Sequence, residues 1–126
     1  MSTTIVGNLT RDPEVRFAGS KPVVSLAIAV TKKKGDEEYT SYFDVEAWGT
    51  LATNAADSLV KGNRVVIHGV LSQERYETKD GQKRDRVRLV ADSIGAELRF
   101  ASVAITRNER SEGGFTAKPS PSSDPF

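Results

Sequence analysis

The sequence predicts an all-β domain with one short helix, followed by a polar C-terminal tail. Three observations predict it. Apolar residues alternate with small or polar ones through most of residues 1–106. Residues 50–61 break that period and space their apolar groups four apart. Beyond residue 106 the apolar groups run out. A period of two sends side chains to opposite faces of a strand, whereas a spacing of three to four lines one face of a helix.

The first strand covers Thr3–Leu9 and stops at Thr10-Arg11-Asp12-Pro13, where Pro13 cannot donate to a ladder. Glu14–Phe17 is a short extension of it. Gly19-Ser20-Lys21-Pro22 marks a loop. Residues 23–30 place Val24, Leu26, Ile28 and Val30 on one face and Val23, Ser25, Ala27 and Ala29 on the other. That is a strand with a large-residue core face and a small-residue second face. Lys34-Gly35-Asp36 marks the next loop, and residues 39–48 the next strand. In Thr50–Lys61, Leu51, Ala55 and Leu59 form a stripe with Ala52 and Ala56 beside it. Thr50 suits the N-cap, Lys61 the negative helix end and Gly62 a left-handed stop. Strands over 64–77 and 83–91 flank Asp80-Gly81, a hairpin signal. A last strand is predicted over 98–106. Three strands, a helix, then two or three strands is the order of a five-stranded OB-fold barrel. A β-sandwich fits the same pattern.

A chain of 126 residues with 37% apolar content suits one domain and one modest core. It has no cysteine, hence no disulfide, no thiolate metal site and no cysteine nucleophile. No apolar run approaches the roughly 18 residues of a membrane span. The first residues, Met1-Ser2-Thr3-Thr4-Ile5, carry no basic segment ahead of an apolar one, so no secretory signal is expected. Residues 107–126 hold three of the five prolines, with only Ala117 and two Phe as apolar groups. Such a segment buries too little to offset its ordering entropy. The expected division is therefore a folded domain over 1–106 and a disordered tail over 107–126.

The 18 basic and 17 acidic residues leave a net charge near +1, which argues against a polyanion partner. The distribution argues otherwise. From Lys61 to Arg88 eight basic residues stand against four acidic ones. Arg84, Arg86 and Arg88 share a strand face by parity, and Arg75 sits beside Tyr76 near the hairpin tip. A solvated, salt-bridged arm explains this equally well, and parity leaves open whether Tyr76 shares the arginine face. Lys32, Lys33 and Lys34 form a second basic cluster in a loop, partly neutralised by Asp36-Glu37-Glu38.

The strand over 39–48 is the informative one. Phe43, Val45 and Ala47 make a core face. The other face carries Tyr42, Asp44, Glu46 and Trp48, so two carboxylates keep it wet beside two large rings. Rings on a wet strand face can stack unpaired bases, at about 1–3 kcal/mol per base. Packing under a loop or against another protein is the competing explanation. Catalytic patterns are missing. His68, the only histidine, lies in an apolar run and reads as a packed strand residue. No phosphate loop, paired-His metal spacing or nucleophile elbow occurs, so neither an enzyme nor a cofactor is expected.

Three segments resemble the bacterial single-stranded DNA-binding protein family: Ile5-Val6-Gly7-Asn8-Leu9, Asp12-Pro13-Glu14-Val15-Arg16-Phe17, and Lys61 through Leu71. Asp92 through Ala101 is similar to its actinobacterial branch, where an extra C-terminal strand clamps subunits. The resemblance covers about residues 3–106. It implies an OB-fold with extended hairpins, assembled as a homotetramer (a dimer of dimers), that binds single-stranded DNA without sequence preference. It implies roles in replication, recombination and repair, in a cytoplasmic, nucleoid-associated setting with no membrane partner. Tyr42, Trp48 and Tyr76 fall where the family places stacking aromatics, and Arg16, within a matching motif, is expected to contact DNA with Lys32–Lys34, Arg75, Arg84, Arg86 and Arg88. Phe43 matches a subunit-contact position. Where the family often has another stacking Trp, this chain has only Thr31 and Lys32–Lys34, which suits phosphate contact. The family ends in an acidic run closing with Pro-Phe that docks replication and repair proteins. Here Asp124, Pro125 and Phe126 match, with a single acid. A protein-binding adaptor and an RNA-binding protein remain the alternatives.

Overall fold

The computed structural model describes residues 1–108. Six strands and one helix follow in the order β1 (Ser2–Leu9), β2 (Glu14–Ala18), β3 (Lys21–Lys34), β4 (Glu37–Trp48), α1 (Thr50–Ser58), β5 (Arg64–Glu77) and β6 (Lys83–Ala96). The sheet order is β1-β5-β6-β4-β3-β2, and an added β1–β3 pairing closes five of the strands into an OB-type barrel. β2 hangs on β3 as a separate antiparallel strand instead of extending β1. All neighbours are antiparallel except β4 and β6, which run parallel. Closure removes most of the exposed edge that an open sheet would present.

The core follows the predicted parity. Val24, Leu26 and Ile28 of β3, Val45 and Ala47 of β4, and Val65 and Ile67 of β5 point inward and are buried. Ala52, Ala55 and Leu59 cap one end of this core, with Leu51 and Ala56 packed beside them. Phe43 is only half-buried, because it stands where β4 leaves the barrel for its hairpin.

Several other local features differ from the sequence reading. The helix is preceded by Gly49 as N-cap, with φ 71°, and Thr50 is the first helical residue. A left-handed φ costs a β-branched residue strain that Gly escapes. The helix also ends at Ser58, so Lys61 and Gly62 lie in the turn that follows it. There the Lys61 amide donates to Asp12 Oδ1 at 2.8 Å, latching the loop between β1 and β2. Lys32, Lys33 and Lys34 belong to β3, not to a loop, because the β3–β4 hairpin turns in two residues, Gly35-Asp36. This register sets Lys33 opposite Glu38 and Lys34 opposite Glu37, a favourable cross-strand arrangement. Finally, β6 runs to Ala96, but residues 98–106 form no strand. Among the described residues they take part in no strand pairing, and Leu98, Phe100, Val103 and Ile105 stay exposed. Of the expected tail, residues 109–126 lie outside the described residues.

A bulge re-aims β6. Between His68 and Gly69 of β5 the register skips Asp92, so inward parity passes from Ile94 to Ala91 and Leu89. At this point the sheet closes tightly on Gly69. A Cβ there would collide with the Val90 carbonyl oxygen and come within 2.8 Å of Ala91 Cα. Gly69→Ala is expected to cost about 1–3 kcal/mol, seen as a lower urea midpoint with an unchanged slope.

His68 is not packed in the core. It lies half-exposed and donates from Nδ1 to Asp92 Oδ1 at 3.0 Å. That hydrogen bond, opposed by a smaller desolvation effect, holds the Asp92 carboxyl below its ordinary value. The pair therefore adds stability above the ordinary carboxylate range, and loses it as pH falls through the depressed value. In a pH series of unfolding curves, Asp92→Asn should flatten the acid limb and converge with wild type at the lowest pH.

Candidate nucleic-acid interface

Pairing register decides which candidates meet. On β4, Tyr42, Asp44, Glu46 and Trp48 face outward, opposite Ala29, Ala27, Ser25 and Val23 of β3. The small side chains on β3 leave the rings standing clear, with Tyr42 74% and Trp48 41% exposed. On the β5–β6 hairpin, Tyr76 lies opposite Arg84, Glu74 opposite Arg86 and Ser72 opposite Arg88. Directly opposed residues share a face, so Tyr76 and the three arginines point the same way. Val90, of the same parity, pairs with Glu46 of β4. Tyr42, Trp48, Tyr76, Arg84, Arg86 and Arg88 thus lie on one continuous outer face. Arg16 joins it from β2, opposite Val23.

Three candidates point elsewhere. Arg75 pairs with Asp85 at 3.3 Å on the reverse of the hairpin. Lys32 and Lys34 share the reverse of the β3–β4 hairpin with Tyr39, while Lys33 has outer-face parity. Tyr39 donates its phenol to Glu37 Oε1 at 2.7 Å, which raises the phenol above its ordinary value.

Asp44 and Glu46, the carboxylates between Tyr42 and Trp48, also part company. Asp44 is exposed, as a wet face requires, but Glu46 is buried. Its Oε2 accepts from Arg16 Nη2 at 3.2 Å and Arg88 Nη1 at 3.0 Å, and its Oε1 from Trp48 Nε1 at 3.1 Å. Arg88 Nη2 reaches Glu74 Oε2 at 3.0 Å, and Arg16 Nη1 reaches Ser25 Oγ at 3.3 Å. One carboxylate therefore links β2, β4 and β6 beneath the rings. Sequence parity hides this, because it groups Glu46 with Asp44 and cannot say which strands flank them.

No group of three or more His, Asp or Glu able to hold a metal occurs among the described residues. No helix of the described residues is long and apolar enough to cross a membrane. An OB-type barrel whose outer face aligns three exposed rings with a row of guanidinium groups has the architecture of a ligand-binding protein.

Comparison with known proteins narrows that class. The single-strand binding protein family matches residues 1–97. A relative from Paenarthrobacter aurescens is 40% identical, over 89% of this chain and 74% of its own length. One from Mycobacterium tuberculosis strain H37Rv is 39% identical, over 94% of this chain and 77% of its own. One from Mycobacterium leprae is 41% identical, over 87% and 70%. All three are named single-stranded DNA-binding proteins. The chain belongs to the single-strand binding protein family, whose members bind DNA without enzymatic activity.

Proposed function

We propose that the outer face binds single-stranded DNA without sequence preference, protecting it during replication, recombination and repair. The observation that carries this reading is the shared face of Tyr42, Trp48 and Tyr76, three exposed rings bordered by Arg84 and Arg86. Bases stack on the rings, and phosphates meet the arginines and Lys33. Every base has a π-face, so stacking is tolerant of sequence. Arg16 and Arg88 brace the face through Glu46. Arg75, Lys32 and Lys34 reach the strand only where it wraps over a hairpin edge.

The working assembly is a homotetramer, a dimer of dimers, with half-buried Phe43 at a subunit contact. The exposed apolar groups of residues 98–106 suit a second subunit, which would supply a pairing absent among the described residues. Asp124, Pro125 and Phe126, outside the described residues, form the tip that recruits replication and repair proteins. The protein acts in the cytoplasm, on the nucleoid.

Titration of Trp48 fluorescence with oligo-dT at several salt concentrations tests the binding, and sedimentation fixes the oligomer. Quenching is expected, with a log–log salt slope of about −0.7 per phosphate neutralised. Unchanged fluorescence together with unchanged gel mobility would sink this reading. Competition by oligo-U decides between DNA and RNA.

A further inference from the structure

The two cations that share Glu46 with Trp48 are engaged in ion pairs. Arg16 and Arg88 approach Glu46 from β2 and β6 and share one oxygen, Oε2. Arg88 is largely covered and spends its second terminal nitrogen on Glu74. Arg16 is different: 57% of its side chain is exposed, and it holds Glu46 by a single nitrogen. The other carboxylate oxygen holds the indole N–H of Trp48, so the ring plane and both guanidinium groups depend on one buried acid.

We propose that Glu46 is a positioning residue that fixes the indole of Trp48 for stacking while withholding the charge of Arg16 from phosphate. This rests on the reading of the outer face as a single-strand site. Glu46 is buried, so little water screens its own charge from its partners, Arg88 the more enclosed and Arg16 the more open. A phosphate passing Arg16 must displace a carboxylate already in place, so this exchange gains little and releases few counterions. Phosphate neutralisation then falls to Arg84, Arg86 and Lys33, beyond the reach of Glu46. The face is divided into a neutral stacking floor around Trp48 and a charged hairpin around Tyr76.

Glu46→Gln separates charge from shape, since the amide keeps the volume and one acceptor oxygen. Binding to oligo-dT should become several-fold tighter at low salt. Its salt slope should steepen by about 0.7, the value of one added phosphate contact. Quenching of Trp48 at saturation should persist, because the indole keeps its acceptor. Arg16→Gln alone should leave the slope unchanged, and the double variant should return to the wild-type slope. A purely structural Glu46 would weaken binding with the slope unmoved, and that result overturns the proposal. So does a slope shallower by about 0.7 in Arg16→Gln alone, which remains decisive if Glu46→Gln fails to fold. A wild type that does not bind oligo-dT overturns the functional reading itself, a distinct result from wild-type binding with an unmoved slope.

Discussion

A Tyr42→Ala/Trp48→Ala variant is expected to bind oligo-dT on the order of a hundredfold more weakly than wild type. Each ring contributes about 1–3 kcal/mol per stacked base. Two rings near the lower half of that range give about 2.8 kcal/mol, which is two decades in affinity. The variant lacks its tryptophan, so the measurement is fluorescence anisotropy of a labelled oligonucleotide. Stability should change little, because both rings stand largely outside the core. Glu46 loses the indole donor but keeps Arg16 and Arg88. The salt slope should stay near that of wild type, since neither ring carries charge. This combination separates stacking from an electrostatic role. An affinity for oligo-dT that barely moves, with loss of a protein partner, would instead make the outer face a protein-binding surface.

Glu46→Ala should have the largest effect on stability, a loss of about 3 kcal/mol by urea unfolding. Removing one member of a buried ion pair leaves the other uncompensated, typically at about 3–5 kcal/mol. The lower end applies because Arg88 keeps Glu74 and Arg16 can turn to water. Arg88 Nε already lacks a hydrogen-bond partner, so little slack remains around this guanidinium. The melting temperature should fall without a change in the denaturant slope, as befits a loss of stability with the fold intact. A loss below about 1 kcal/mol would mean that water screens the network as it does a surface pair.

The elements of the barrel were legible because their causes are local. Val24, Leu26 and Ile28 declare an inward face by alternation alone, and the structure buries all three. Leu51, Ala52, Ala55 and Leu59 declare a helix lying on that core, and they do lie on it. The errors fall where conformation depends on a neighbour. Lys32–Lys34 looks like a loop from its charge, yet backbone pairing with Glu37–Tyr39 across a two-residue turn carries it on as a strand. Thr50 looks like a cap, yet Gly49 precedes it and supplies the left-handed conformation that the entry to the helix uses. Residues 98–106 have strand-like alternation but no strand partner among the described residues, and alternation alone makes no hydrogen bonds.

The candidate site divides along the same line. Tyr42 and Trp48 share a face because a strand has a period of two, a property carried by spacing within one segment. The family resemblance, too, rests on contiguous motifs. Whether Tyr76 joins Tyr42 was undetermined by spacing, because they belong to different hairpins. Only the pairings of Tyr76 with Arg84 and of Glu46 with Val90 bring them to one face. Glu46 is the sharpest case. From the sequence it is a solvated acid beside Asp44. In the fold it is buried, because β2 and β6 bring Arg16 and Arg88 over it from distant parts of the chain. By itself the sequence determined the barrel's elements, their inward faces and the rings offered outward, since each follows from short-range periodicity. The tertiary structure decided which rings act together and which charges are free. Those properties arise from pairing across strands, where a carboxylate's partners are set by register and not by distance along the chain.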